Sequence, residues 1–153
     1  IDMSKMQDIV PTIAVISAFA DGETLITNIE NLKFKECDRF NAIITELQKI
    51  GVNISAVDNK TIKIIGNTNA VNTYNSAVFE TYNDHRMAMA LALTAIKIPN
   101  IKIKNPDCSC KTFPEFFGIF TKFFEETKYN STDFYSKLYN REFEKFKKNN
   151  CWI

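Results

Sequence analysis

The sequence has almost no excess of charge of either sign. Its 153 residues include 19 lysines and arginines against 18 aspartates and glutamates, which gives a formal net charge of +1. Nucleic acids and anionic membrane surfaces attract proteins that carry a marked excess of positive charge, so the overall balance points to neither partner. Any anion that the chain binds must therefore be held by a local cluster of cationic side chains.

Residues that commonly bind metals are also few. The chain has a single histidine, His85, and four cysteines, which are Cys37, Cys108, Cys110 and Cys151. No histidine lies near Cys108 and Cys110 to complete a familiar zinc pattern, so we expect no metal site. Reduced thiols in a cytoplasmic protein are the favoured interpretation. A metal site that joins Cys37 to the Cys108 and Cys110 pair is the alternative.

A long hydrophobic run is missing as well. The longest apolar stretch near the start, Ile9 to Ala20, is interrupted by Pro11, Thr12 and Ser17. A helix that spans a bilayer needs about 20 consecutive apolar residues. We therefore expect a buried helix here and no membrane anchor. Because the chain begins at Ile1 and not at a methionine, we also expect further residues upstream.

The remaining sequence alternates helical and strand patterns. At 45% hydrophobic residues it can bury a core. Apolar spacing predicts helices at Ile13 to Ala20, Phe40 to Ile50, Met87 to Ile96 and Phe116 to Phe124. Shorter patterns predict strands at Thr24 to Ile29, Val52 to Val57, Thr61 to Ile65, Ala77 to Thr81 and Ile101 to Lys104. The order indicates an α/β fold in two related units of roughly sixty residues, and the first helix, apolar on nearly every side, should be buried all round.

Charged side chains concentrate where these helices begin. Asp84 has the side chain to cap the third helix, which places His85 and Arg86 in its first turn. Free backbone N–H groups and the positive end of the helix dipole, joined by a guanidinium and an imidazole, make an anion site. The alternative is a capped core helix with an ordinary polar first turn.

The same arrangement recurs at the other helix starts. Asp8 precedes the first helix, Lys35, Glu36 and Arg39 surround the start of the second, and Lys111 precedes the last. If the helices pack parallel, these residues share one face, which would suit a phosphorylated or carboxylated substrate. Asp8 and Glu36 would then be available for proton transfer. Taken singly, each residue could instead be a solvated surface charge or a helix cap.

Three segments resemble consecutive signatures of one enzyme family. Asn31 to Arg39, Tyr82 to Met89 and Lys111 to Pro114 look like those of 5-enolpyruvylshikimate-3-phosphate (EPSP) synthases, and Ala18 to Gly22 also fits. The resemblance runs from about Asp2 to Phe124. It implies transfer of the enolpyruvyl group of phosphoenolpyruvate to the 5-hydroxyl of shikimate 3-phosphate, a step of the shikimate pathway to aromatic amino acids. It implies no metal ion and no organic cofactor.

The resemblance also implies roles for individual residues. Shikimate 3-phosphate would be held by Asp8, Asn31 and Lys35. Phosphoenolpyruvate would be held by Arg39, Arg86 and Lys111. Asp8 and Glu36 are the candidates for moving protons between the hydroxyl and the methylene carbon, while His85 would orient and tune the reacting centre.

The fold implied by the resemblance is larger than this chain. EPSP synthases have two similar halves of three α/β units each, inside-out α/β barrels with buried helices and outer sheets. Residues 1–127 would supply about two of the three units of one half. Residues 128–153 would form an appended helical tail or a linker to a fused downstream module. Because the opposite half is missing, we expect this fragment alone to be inactive.

Two other functions are compatible with parts of the pattern. One is a relative that transfers the enolpyruvyl group to UDP-N-acetylglucosamine, against which Lys35-Glu36 and Asp84 to Met87 argue. The other is a truncated, non-catalytic paralogue that serves as a binding or scaffold domain. About two hundred upstream residues of similar α/β pattern would favour the enzyme.

Overall fold

Helices and strands alternate along the chain, as the periodicity predicts. The computed structural model describes residues 1–126. The helices are α1 Val10–Ala18, α2 Arg39–Lys49, α3 Ala70–Thr73, α4 His85–Ala92 and α5 Phe116–Glu126. The strands are β1 Gly22–Ile26, β2 Asn53–Asp58, β3 Thr61–Gly66, β4 Val78–Phe79 and β5 Lys102–Ile103. The tail that was expected at 128–153 lies outside the described residues.

Short 3-10 helices fill several of the connections. They are Gln7–Ile9, Glu30–Phe34, Leu93–Ile96 and Pro106–Lys111. The first leads into α1 and the last carries the chain from β5 towards α5. Within residues 1–126 no helix is both long enough and apolar enough to cross a membrane.

The strands form one antiparallel sheet and one small parallel sheet. β3 lies between β1 and β2, and the predicted hairpin of β2 and β3 is confirmed. Ile62 and Ile64 of the central strand are fully buried. β2 shows one buried residue, Ile54, and otherwise faces outward. The parallel sheet pairs β4 with β5 over only two positions, Val78 with Lys102 and Phe79 with Ile103.

The core lies between α1, α4 and the inner face of the antiparallel sheet. α1 contacts α2, α4 and β3. Ala14 and Ala18 of α1 and Ala88 of α4 are all fully buried in this core.

The expectation that α1 is buried on all sides is wrong. Ile16, in the last turn of the helix, is 57% exposed, and Ile9, the residue just before it, is 43% exposed. The helix is apolar around its circumference, but the other elements of residues 1–126 pack on only part of it. Outside α1, the side chain of Phe34 in the 3-10 helix Glu30–Phe34 is 84% exposed.

The end of α1 packs closely against the end of β3. A Cβ atom on Gly66 would lie 2.1 Å from the carbonyl oxygen of Ser17 and 2.2 Å from that of Ala20. The next residue, Asn67, donates its backbone N–H to Ala18 at 3.0 Å. The absence of a side chain at Gly66 is therefore what lets this strand reach the carbonyl end of the helix.

We expect Gly66→Ala to lower the free energy of unfolding by about 2 kcal/mol, because backbone atoms must move to admit the methyl group. Gly118→Ala is the matched control, since no atom of residues 1–126 lies within 4 Å of the added Cβ in α5. That change should be neutral or stabilising by roughly 0.5–1 kcal/mol through helix propensity. Urea unfolding of both variants measures the difference, and equal midpoints would contradict the close approach.

Candidate active site

The charged helix starts come together on one side of the molecule. They form a charge cluster of four cations, three carboxylates and one histidine. Its members are Lys35, Arg39, Arg86, Lys111, Asp8, Glu36, Asp84 and His85. The structure thus brings together the predicted site residues, and Asn31 lies beside them in an adjoining pocket. Their roles toward substrates stay predictions.

Arg39 is the centre of the charge cluster. Its Nε donates to Asp84 Oδ2 at 2.7 Å, one Nη donates to Glu36 at 2.6 Å and the other to Asp8 at 3.1 Å. The side chain is only 1% exposed. Burying a guanidinium costs free energy unless its N–H groups are paired, and the three carboxylates supply that pairing. The interpretation of Arg39 as an exposed helix residue is therefore wrong.

Asp84 both caps α4 and binds Arg39. Its Oδ1 accepts the backbone N–H groups of Arg86 at 2.8 Å and Met87 at 3.4 Å, which confirms the predicted cap. Burial raises the pKa of Asp84, but the hydrogen bond and charge of Arg39 outweigh this, and the net pKa is lowered. Asp84 is therefore ionised. Its contact with Arg39, 45 residues away in sequence, could not be read from the local capping pattern.

Asp8 joins the outer cations to the buried centre. It lies 3.2 Å from Lys35 and 3.1 Å from both Arg39 and Arg86. Partial burial raises the pKa of Asp8, while the Lys35 hydrogen bond and the charges of Arg86, Lys35 and Arg39 lower it, and the lowering is larger. Asp8 is thus a carboxylate shared by three cations.

Glu36 occupies the opposite side of Arg39. It also binds Lys111 at 3.3 Å. The pKa of Glu36 is lowered, first by a hydrogen bond from its own backbone N–H and then by the charge of Arg39 and the hydrogen bond from Lys111, and these effects outweigh burial, which raises it. His85 Nδ1 lies 4.0 Å from Glu36, beyond hydrogen-bond distance. Burial lowers the pKa of His85 despite the nearby charges of Asp84 and Glu36, so the imidazole is neutral at pH 7.

Exposure separates the cations into two kinds. Arg39 is buried, whereas Lys35 and Arg86 are 32% and 35% exposed and Lys111 is 64% exposed. With a neutral imidazole, four cations against three carboxylates leave one net positive charge. An incoming anion can reach the three outer cations, and it must compete there with Asp8 and Glu36.

A polar pocket of about 250 Å³ adjoins the charge cluster. Its lining consists of Ser4, Lys5, Met6, Gln7, Asp8, Asn31 and Lys35. Three of these residues are the ones that the resemblance assigns to shikimate 3-phosphate. The sequence reasoning missed the segment from Ser4 to Gln7, which carries no helix-start signal of its own. In residues 1–126 no group of three or more histidine, cysteine or acidic side chains is arranged to hold a metal ion.

Comparison with known proteins identifies the family. The family model described as EPSP synthase (3-phosphoshikimate 1-carboxyvinyltransferase) matches residues 1–120. The chain belongs to the EPSP synthase family. It is 42% identical to the 3-phosphoshikimate 1-carboxyvinyltransferase of Nostoc punctiforme over 125 residues, which cover 82% of this chain and 27% of that protein. It is 44% identical to the enzyme of the same name from Haemophilus influenzae over 121 residues, 79% of this chain and 27% of that protein.

The fold agrees with the family. A solved structure of EPSP synthase from Acinetobacter baumannii superposes with a TM-score of 0.70 at 23% sequence identity, over 76% of this chain and 27% of that one. This likeness supports the predicted α/β fold of the enolpyruvyl transferase type. The chain spans about a quarter of the length of the curated relatives that it matches.

Cys37 lies within the charge cluster of this EPSP synthase family member. Its Sγ is 3.5 Å from Asp84 Oδ2. Burial, and after it the neighbouring Asp84 carboxylate, raise the pKa of the Cys37 thiol to about 12. The thiolate is the reactive form of cysteine, so this thiol should be inert near neutral pH.

We expect iodoacetamide at pH 8 to alkylate Cys37 at least about a hundredfold more slowly in the folded chain than in urea, since roughly one thiol in ten thousand is ionised there against about a quarter for an ordinary cysteine. Peptide mapping by mass spectrometry measures each site separately. The same chain in urea is the control. Equal rates in the two conditions would show that Cys37 is not held beside Asp84.

Proposed function

We propose that this chain provides one side of the active site of a 3-phosphoshikimate 1-carboxyvinyltransferase. The enzyme transfers the enolpyruvyl group of phosphoenolpyruvate to the 5-hydroxyl of shikimate 3-phosphate and releases phosphate. The observation that carries the proposal is the meeting of Arg39, Arg86 and Lys111 in one cluster, within a chain of the EPSP synthase family. Three cations gathered around one space suit a small acid that bears both a phosphate and a carboxylate.

Phosphoenolpyruvate would bind at the exposed side of the charge cluster. Arg86 offers a planar fork of N–H donors for an oxyanion, and Lys111 adds a point charge that is 64% exposed. Arg39 reaches the ligand directly only if Asp8 or Glu36 releases one of its N–H groups, because its side chain is 1% exposed. Binding is then an exchange in which the ligand's oxygens replace carboxylate oxygens on the same cations.

Shikimate 3-phosphate would bind in the adjoining pocket. Asn31 supplies an amide that can both donate to and accept from ring hydroxyls, and Lys35 supplies a cation. Asp8 lines this pocket and also contacts Arg86, so it lies between the two proposed substrates. Shikimate 3-phosphate needs further cations for its phosphate group, and we propose that the rest of the enzyme supplies them.

Asp8 and Glu36 would carry the protons. Both have lowered pKa values and are ionised at neutral pH, so each starts as a base. The reaction needs a proton removed from the 5-hydroxyl as its oxygen attacks C2 of phosphoenolpyruvate, and a proton added at C3. When the tetrahedral adduct collapses, C3 loses a proton and phosphate leaves. We assign the hydroxyl proton to Asp8, which lies in the pocket and would pass this proton on to the departing phosphate. We assign the C3 proton to Glu36, beside neutral His85: its carboxylate first takes up a proton from water, gives it to C3 in the addition and takes it back from C3 in the collapse.

The rest of the enzyme is the main partner of this proposal. We propose that residues 1–127 supply about two of three units of one half, and that 128–153 form a helical tail or linker to a further module. The remaining part of the enzyme would close over the site and exclude water, which strengthens every ionic contact inside it. We place the enzyme in the cytoplasm, where thiols stay reduced.

Arg86→Ala should weaken phosphoenolpyruvate binding to this chain by about 2 kcal/mol, roughly thirtyfold, because a charge-assisted contact is lost. Lys63→Ala is the matched control: it also removes one cation, but from an ion pair with Glu23 on the outer sheet. Isothermal titration calorimetry measures both. Equal weakening by the two changes, or no binding by the unaltered chain, would contradict the assignment.

The chain alone should release no phosphate from phosphoenolpyruvate in the presence of shikimate 3-phosphate. The physical reason is that the site is open to water and lacks the opposite face. The measurement is a phosphate-release assay with Arg86→Ala as the background. Turnover by the unaltered chain above that background would contradict the need for the rest of the enzyme. Binding without turnover, even after the missing part is added, would favour a non-catalytic paralogue.

A further inference from the structure

Glu46 is a buried carboxylate that the proposed reaction does not use. It lies on α2, seven residues after Arg39, and its side chain has no exposed surface. Residues seven apart on a helix share one face, here separated by about 10 Å along the axis. Glu46 and Arg39 therefore point from α2 towards the same neighbouring segment.

That neighbouring segment is the stretch that leads into α4. Glu46 Oε1 accepts the Tyr82 hydroxyl at 2.7 Å, and Oε2 accepts the backbone N–H of Glu80 at 3.0 Å and Nζ of Lys49 at 2.6 Å. Burial and the adjacent Glu46 raise the pKa of Tyr82, so the phenol keeps its proton and donates. Two of the three donors thus come from residues just before Asp84.

The backbone between Glu46 and Asp84 is held in an unfavourable conformation. Tyr82 and Asn83 have φ values of 55° and 56°, the left-handed region that side-chain-bearing residues rarely occupy. We refer to Tyr82 and Asn83 as the left-handed turn. Two such residues in succession persist only where surrounding contacts fix them. Asn105 provides one such contact, because its Nδ2 donates to Asn83 Oδ1 at 3.0 Å.

The left-handed turn is attached to α2 at both of its ends. Glu46 binds the chain at and just before the turn, and Arg39 binds Asp84 immediately after it. We propose that Glu46 is a positioning residue: through Tyr82 it fixes the left-handed turn that places the start of α4 against Arg39. His85 and Arg86 follow directly, so their place in the charge cluster depends on both attachments.

A carboxylate suits this position because it can accept from several donors at once. Two oxygens with about four lone-pair sites receive a hydroxyl, a backbone N–H and an ammonium. If Glu46 served only to join α2 to β4, its loss would lower stability without a specific effect at the start of α4. The two roles are therefore separable by a local measurement.

The test compares two tyrosines in the full 153-residue chain. Tyr82→Phe removes the hydroxyl that binds Glu46. Tyr74→Phe removes another partly buried hydroxyl, which donates to the Ala18 carbonyl at 3.0 Å and not to Glu46. We expect the amides of Arg86 and Met87, which donate to Asp84, to exchange with solvent about tenfold faster in Tyr82→Phe. In Tyr74→Phe the exchange rates of these two amides should change by no more than the exchange rates of the most protected core amides do.

The imidazole of His85 is a second reporter. It is the only histidine in the chain, so its NMR signals are unambiguous. They should shift in Tyr82→Phe and stay in place in Tyr74→Phe. Equal behaviour of the two variants, in exchange rates and in the His85 signals, would overturn the proposal in favour of a purely structural Glu46.

A double-mutant cycle shows whether Tyr82 acts through Glu46. Glu46→Gln keeps the shape of the side chain but leaves one acceptor oxygen in place of two. If the proposal is right, the exchange rates of Glu46→Gln with Tyr82→Phe are no faster than those of the more severe single variant. Additive effects of the two substitutions would contradict a shared action.

The consequence for binding rests on the proposed function. Phosphoenolpyruvate affinity should fall about tenfold in Tyr82→Phe and stay unchanged in Tyr74→Phe, because displaced side chains grip an anion less well. Failure of the unaltered chain to bind phosphoenolpyruvate would refute the proposed function, while hydrogen exchange would still decide the role of Glu46. Binding that is unchanged in Tyr82→Phe would overturn the positioning role.

Discussion

The buried ion pair between Arg39 and Asp84 is the interaction on which the site depends. It joins the first residue of α2 to the cap of α4 at 2.7 Å, with both side chains almost completely shielded from water. Such a pair contributes little net stability, because desolvation offsets the attraction, yet removing one partner costs about 3–5 kcal/mol. Its main effect is geometric. Two helix starts cannot separate without leaving a charge unpaired, and the remaining carboxylates are held around the same guanidinium.

Local sequence signals predicted most of the elements. Asp84 is confirmed as the cap of α4. Asp38 caps α2 by accepting the backbone N–H of Asn41, and Gly51 follows α2 with a φ of 91° that suits glycine. The gathering of charged helix starts on one face could be predicted because it needed only helix positions and a common packing direction. These features depend on neighbours in sequence, where periodicity and capping chemistry are informative.

Features that depend on distant contacts could not be predicted from the sequence. Glu46 reads as an ordinary polar residue of an amphipathic helix, and nothing local reveals that Tyr82, 36 residues later, binds it. The contact of Asp84 with Arg39 was missed because the role of Asp84 as the cap of α4 already accounted for its carboxylate. The exposure of Ile16 was missed because an apolar side chain favours burial, but whether it is buried depends on which elements pack around it. The roles of the site residues toward substrates stay predictions.

The sharing of Asp8 by three cations has a consequence for how this site can evolve. Lys35, Arg39 and Arg86 are all neutralised in part by one carboxylate, so the repulsion among them depends on whether it is present. The effect of replacing any one of the four is conditional on the other three, which is epistasis with a plain electrostatic origin. A substitution at one of these four positions therefore changes how well a substitution at any of the other three is tolerated.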